Sequence, residues 1–328
     1  MTYHVLITDY AWASLDIERR ILGEASAELI VAGTGEEDEL IQLAPRADAI
    51  LTNWKRVSAA VIDAAPRCRH IARYGIGIDN IDVAHATRLG IPVTNVPTYC
   101  VEEVTDHALA LLYALARRVV RFDRAIRGGD YPGVPFSGIP RIAGLTMGII
   151  GYGSIGRVLG RKARALGIHA AICDPAVTSL PPEEGRVLSL DALLTEADAI
   201  SLHAPLLPAT RNLIGDAAIA KMKPGTFLIN TSRGGLVDPA AVLRGLESGR
   251  LGGAALDVYP QEPPDTSHPL FQHPHFIATP HAAFYSEASV QELQSTCAEQ
   301  IAQALRGKLP PHVVNPDFAK NRPRVTFR

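Results

Sequence analysis

Between an apolar run and a helix-like stretch, "GIIGYGSIGRVLGRKARALG" places Gly151, Gly153 and Gly156 in G-x-G-x-x-G spacing. A second apolar run ends in Asp174, 18 residues beyond Gly156. A dinucleotide site needs that whole context. Gly151 permits the tight turn, Gly153 lets the backbone approach a pyrophosphate, Gly156 allows helix and strand to pack closely, and the helix start receives the phosphates. Asp174 is expected to accept hydrogen bonds from the adenine ribose hydroxyls and to repel a 2′-phosphate, which favours NAD over NADP. The competing reading is a glycine-rich turn in an α/β domain that binds nothing.

Three more polar residues stand just past apolar runs. "TFLINTSRGG" carries Arg233, "ALDVYPQEP" carries Glu262 and "FIATPHAAFYSE" carries His281, with Gly or Pro nearby to hold each in a loop. Open α/β sheets bind ligands beyond the carboxyl ends of their strands. Reducing a carbonyl with a nicotinamide takes an acid–base to move the carbonyl proton and a cation to hold and polarise the substrate. Histidine suits the first near neutral pH, and a carboxylate hydrogen-bonded to it favours the imidazolium. Arginine suits the second, because its fork grips a carboxylate and stays charged. Arg233, Glu262 and His281 together are expected to form a site for 2-oxo acid reduction. Taken singly, each has a plainer reading: one surface histidine among 11, a solvated glutamate, an arginine in a surface ion pair.

"RYGIGIDN" (73–80) also holds a G-x-G after an apolar run, but Asn80 stands where a third glycine would be needed. It is not read as a nucleotide loop. Gly75 and Gly77 leave backbone N–H groups open to approach, and such a nest holds an anion. With Arg233 assigned to a carboxylate, Arg73 suggests a substrate with a second anionic or polar end. An internal salt bridge is the alternative.

Alternating apolar runs and helical stretches must position these residues, the pattern of parallel sheets covered by helices. The first series of strands is expected at 4–10, 27–33, 48–54, 70–75 and 91–96, with helices at 15–25 and 58–66. The second is expected at 145–151, 169–174, 198–203, 226–230, 252–258 and 276–280. One long amphipathic helix is predicted over 101–127, opening with acids and closing with bases. A Gly/Pro-rich loop follows at 128–140, and 286–306 reads as the last helix. With 328 residues, two domains are expected.

A net charge of −2 provides no field to recruit nucleic acid or an anionic membrane. No run of about 18 apolar residues could span a bilayer, and "MTYHVLITDY" reads as a first strand rather than a signal peptide. The four cysteines are scattered without C-x-x-C spacing, which points to free thiols, no metal site and a cytoplasmic setting.

Taken in order, "RYGIGIDNID", "NVPTYCVEEVTDHALALLYALAR", "GIIGYGSIGR", "SLHAPL", "NTSRGGLVD", "GGAALDVYPQEP" and "TPHAAFYSEAS" resemble the D-2-hydroxyacid dehydrogenases over nearly the whole chain. The motifs are closest to the branch holding the C-terminal-binding proteins and D-3-phosphoglycerate dehydrogenase. The resemblance implies two doubly wound parallel-sheet domains. One is a Rossmann NAD-binding domain at 102–286. The other is a flavodoxin-like, discontinuous substrate domain at 1–101 and 287–328, with the active site in the cleft between them. It implies that Arg233 binds the substrate, Glu262 partners the histidine and His281 donates the proton. Tyr152, Ser154 and Ile155 fall within the glycine loop. His203, Ala204, Pro205, Thr210, Thr231, Ser232, Arg233, Asp257 and His281 match cofactor-lining positions, and Thr105 resembles a threonine that approaches the cofactor. A strand-end cap is the plainer role for Asp257.

By the same resemblance the substrate carboxylate sits on Tyr74, Gly75, Ile76, Gly77 and Ile78, near Phe284. Trp54, Tyr99 and Tyr285 could add aromatic walls. A homodimer is implied through the 106–145 helix and arm, although the helix would serve equally as core. The corepressors have a tryptophan where this chain has Phe284; they also have a long tail, and the long phosphoglycerate dehydrogenases a regulatory domain, neither expected here. An NAD(H)-sensing corepressor-like protein is the alternative to an enzyme, and turnover of 2-oxo acids distinguishes them.

Overall fold

The computed structural model describes residues 2–131, 138–321 and 327. The chain forms two units, Met1–Tyr99 with Ser286–Arg328, and Cys100–Tyr285.

In the first unit the chain runs β1 (Tyr3–Ile7), α1 (Asp16–Gly23), β2 (Ala27–Val31), α2 (Glu37–Leu43), β3 (Ala49–Thr52), α3 (Ala59–Asp63), β4 (Ile71–Arg73), α4 (Val83–Arg88) and β5 (Val93–Thr94). The strands form one sheet in the order β2-β1-β3-β4-β5, every pair parallel. This is the flavodoxin-like order. Val5, Leu6, Ile7 and all of β3 are buried, as expected of parallel strands covered on both faces. Ser58 and Asp82 cap α3 and α4 by accepting from Val61 N and His85 N. The closing helix, Glu287–Leu305, returns to pack on α1. It starts at a reciprocal Ser286–Ser289 capping box.

The second unit begins with α5 (Val101–Ala116) and α6 (Val119–Arg127). The single helix expected over 101–127 is therefore broken. Arg118 takes φ 55° at the break, and its guanidinium donates to His275 Nε2 at 2.8 Å. Next come β6 (Thr146–Ile150), α7 (Ser154–Ala165), β7 (His169–Cys173), β8 (Arg186–Val187), α8 (Leu190–Glu196) and β9 (Ala199–Leu202). They are followed by α9 (Asp216–Lys221), β10 (Thr226–Asn230), α10 (Pro239–Glu247), β11 (Leu251–Leu256) and β12 (Phe276–Ala278). In chain order the closing helix is α11. Seven strands pair in parallel in the order β12-β11-β10-β9-β6-β7-β8. Numbered from β6, this is the Rossmann order with one strand added. The order reverses at β6, between β9 and β7, where such sheets bind their ligands. The short edge strand β8 was not expected: two residues, neither buried, carry no periodic signal.

Of the 128–140 loop, residues 132–137 lie outside the described residues. No helix among the described residues is long and apolar enough to cross a membrane, and none of their His, Cys, Asp and Glu side chains gather into a metal-binding group. The four cysteines are free.

Candidate active site

The glycine loop joins β6 to α7. Gly151 takes φ 92°, and a Cβ there would lie 2.6 Å from the His203 carbonyl. A Cβ on Gly156 would strike the Gly151 carbonyl oxygen, so this glycine sets how closely α7 approaches the loop. At Gly153, by contrast, a Cβ would meet nothing within 4 Å. No side chain caps α7, whose first turn starts at Ser154 and Ile155. The three glycines thus differ in kind: two are required by packing, and one leaves open space where a phosphate could rest.

Tyr152 adds nothing to that opening. Its ring is buried against Gly160, Arg157 lies over the ring, and its N–H donates to Asp174 Oδ2 at 2.7 Å. Asp174 Oδ1 accepts from Ala176 N at 2.8 Å, so the carboxylate braces the glycine loop from the end of β7 and retains lone pairs for a ribose.

Arg233, Glu262 and His281 follow β10, β11 and β12, three adjacent strands. Asn230 shapes the first loop, its Nδ2 donating to Arg233 O at 2.8 Å and its Oδ1 accepting from Ser232 N at 3.0 Å. Gly234 has no room for a side chain, because a Cβ would overlap the Tyr259–Pro260 peptide. That contact seats the Arg233 loop against the one carrying Glu262. Glu262 Oε1 accepts from Tyr259 N at 3.0 Å, and Oε2 meets His281 Nδ1 at 2.7 Å. Burial raises the Glu262 carboxyl, but the His281 hydrogen bond and charge, the Tyr259 N–H and the Arg233 charge outweigh it. The net position is below the ordinary value. With Nδ1 taken, Nε2 is the ring nitrogen of His281 left to meet a substrate. The Phe284 ring stands edge-on to it at 6.4 Å.

Several expected cofactor residues are committed to protein contacts. Asp257 is fully buried and accepts from Thr279 Oγ1, Ala282 N and Ala283 N, the strand-end cap its plainer reading anticipated. Thr105 is also fully buried: its hydroxyl donates to Glu102 O and accepts from Lys162 Nζ, which ties α5 to α7. The Thr210 hydroxyl closes the turn at Pro205 and Leu207. Ser232 Oγ donates to Ala204 O at 2.7 Å. His203 meets Ser201 Oγ at 2.8 Å, and burial pushes its imidazole down to about 4. Thr231 Oγ1 is different, being buried with no hydrogen-bond partner among the described residues. Such an orphan hydroxyl calls for a ligand or a water. Sequence reasoning missed Tyr259, Thr279 and Asn230, whose only signal was their place at strand ends.

In the first unit, "RYGIGIDN" follows β4. The Tyr74 side chain is 1% exposed, and its hydroxyl donates to the buried Glu18 at 2.7 Å. Its N–H goes to Thr52 O, and that of Gly75 to Arg73 O. Of the amides expected to hold an anion, those of Tyr74 and Gly75 are thus used within the protein. Gly75 takes φ 143°, and the Arg73 guanidinium folds against its Cα, where any side chain would collide with it. Trp54 and Tyr285 are exposed, whereas Tyr99 is buried.

The family described as "D-isomer specific 2-hydroxyacid dehydrogenase, NAD binding domain" matches residues 109–283. A D-3-phosphoglycerate dehydrogenase from Mycobacterium bovis is 38% identical over 283 residues, covering 85% of this chain and 53% of that protein. The chain thus spans about half the length of that relative. A glyoxylate reductase from Korarchaeum cryptofilum is 38% identical over 273 residues, covering 81% of this chain and 82% of the relative. A Thermus thermophilus protein of known crystal structure superposes with a TM-score of 0.87 at 33% identity, covering 95% of this chain and 99% of its own.

Proposed function

The chain belongs to the D-isomer specific 2-hydroxyacid dehydrogenases, and on that premise we propose that it is an NAD-dependent oxidoreductase interconverting a small 2-oxo acid and its 2-hydroxy acid. The 2.7 Å contact between His281 Nδ1 and Glu262, beside Arg233 at the carboxyl end of the dinucleotide-binding sheet, carries this reading. The residues fit the cofactor: open space at Gly153, an uncapped α7 and the orphan Thr231 hydroxyl. Gly153 to Gly156 would hold the pyrophosphate, Asp174 the adenine ribose, and Ala204, Pro205 and Thr231 to Arg233 the nicotinamide half. When bound, the nicotinamide supplies or takes the hydride.

The chain's own residues do the rest. Arg233 grips the substrate carboxylate and polarises the carbonyl. His281 moves the proton at the carbonyl oxygen through Nε2. Glu262 fixes the ring by its other nitrogen and stays ionised to balance the imidazolium. The two curated relatives are a dehydrogenase and a reductase, which does not favour the corepressor alternative. In the first unit the Ile76–Ile78 amides are a seat for an anion, and Arg73 leads us to include dianionic substrates.

The test is a panel of mono- and dianionic 2-oxo acids with NADH, run on wild type and variants. His281→Ala should lower kcat about 10²–10⁴-fold while NADH binding stays near normal. Arg233→Lys keeps the charge but loses the fork, and should lower kcat/KM steeply. Background rates across the whole panel would overturn the enzymatic reading. Near-wild-type turnover in His281→Ala would remove His281 from it.

A further inference from the structure

His281 sits at φ 55°, in the left-handed region that non-glycine residues seldom occupy, so something must hold the loop there. The backbone shows what does. Three successive amides converge on one residue: His281 N donates to the Asp257 carbonyl at 2.7 Å, Ala282 N to Asp257 Oδ1 at 2.9 Å and Ala283 N to Oδ2 at 2.9 Å. Asp257 is 0% exposed, so its carboxylate is oriented by the protein alone.

That orientation depends on two side chains outside the loop's own amides. Thr279 Oγ1 donates to Asp257 Oδ1 at 2.5 Å. A hydroxyl has one proton to give. The contact of Thr279 Oγ1 with His107 Nε2 at 3.1 Å must therefore be a donation from the imidazole, which places the His107 proton on Nε2. Nε2 lies 3.7 Å from Asp257 Oδ1, too far for a direct hydrogen bond, so the link runs through the threonine. The Tyr259 hydroxyl lies between the Leu256 carbonyl at 2.9 Å and the Thr279 carbonyl at 3.1 Å, which share its one proton. Tyr259 in turn lends its N–H to Glu262, so the two partners of the catalytic pair are anchored at neighbouring points.

We propose that His107 and Thr279 are positioning residues for His281. The chain His107 Nε2–H to Thr279 Oγ1–H to Asp257 orients the carboxylate that holds residues 281–283 in place. Neither side chain needs to touch substrate. The proposal rests on His281 being the acid–base.

The experiment compares Thr279→Val with Thr279→Ser, and His107→Leu with His107→Gln, in the full chain. Each first member removes the relay; each second keeps a hydroxyl or an amide N–H in its place. Two readouts are taken: amide hydrogen exchange across 281–285, and steady-state reduction of glyoxylate by NADH. Thr279→Val and His107→Leu should speed exchange about tenfold and lower kcat about tenfold, the effect of one buried hydrogen bond, with KM for NADH within about twofold. Thr279→Ser and His107→Gln should remain near wild type in both readouts. Unchanged exchange in Thr279→Val overturns the proposal. Equal disturbance by Thr279→Ser does so too, since it would mean that packing alone is at work. His281→Ala, run alongside, separates the two claims. If it keeps turnover, the acid–base reading fails, while exchange still decides whether the relay holds the loop.

Discussion

At the scale of single residues, the site is a set of polar groups whose second valence is spent on holding the first in place. Glu262 uses one oxygen on Tyr259 N and the other on His281. Asp174 uses one oxygen on the glycine loop, at Tyr152 N, and the other on the turn after its own strand, at Ala176 N. Removing Asp174 therefore has two effects with one sign. The ribose loses its acceptor, and the loop loses a brace. Asp174→Ala is expected to weaken NADH binding and narrow the NADH/NADPH preference, read from KM for each cofactor. A wild type that prefers NADPH would contradict the role given to Asp174. The strand-end residues were legible in the sequence because a charged group among Gly and Pro, just past an apolar run, falls on the ligand-binding edge of an α/β sheet. Tyr74 was not. The G-x-G beside it drew the reading to a ligand, whereas its hydroxyl partner, Glu18, lies 56 residues away. The link between His107 and Thr279 spans 172 residues and leaves no local trace at all.

At the scale of elements, both sheets could be read from alternating apolar runs because parallel strands buried on both faces must be apolar throughout. Helix ends were harder. Nothing at 117–118 resembles a helix stop: neither Gly nor Pro is present, and at the break Arg118 reaches His275, 157 residues on. Beyond it, α6 buries none of its residues, and Val119 and Ile126 are 55% and 52% exposed. They stand seven positions apart, on one face of the helix. We propose that the homodimer implied for this segment covers this open apolar face. Val119→Ser with Ile126→Ser should shift the mass seen by light scattering toward the monomer. An unchanged mass would place any dimer contact elsewhere.

For the whole molecule, acid sensitivity follows from histidines buried neutral. His70 is 0% exposed, its Nε2 meets Thr94 Oγ1 at 2.9 Å, and burial takes its imidazole from 6.5 down to about 3. The unfolded chain binds this proton below pH 6.5 and the folded chain does not until about 3, so protonation favours unfolding across that window. His70 thus costs no stability above pH 6.5, and stability is lost as pH falls from there toward 3. The loss from this one group is about 2 kcal/mol at pH 5. Urea midpoints measured from pH 7.5 to 5 should fall in wild type and fall less in His70→Gln. Parallel slopes would clear His70 of the effect.

The discontinuity of the first unit also bears on how the chain is made. Residues 100–285 can complete their own sheet while the protein is still leaving the ribosome. The five-stranded sheet, begun earlier, lies within Tyr3–Thr94, but the core beside α1 must wait for α11. Until α11 emerges, Glu18 lacks the Gln294 amide that donates to it at 3.0 Å, and the Arg73 carbonyl lacks the Cys297 thiol. The first unit is therefore started before the second and completed after it, and its half-built core stays exposed in the interval.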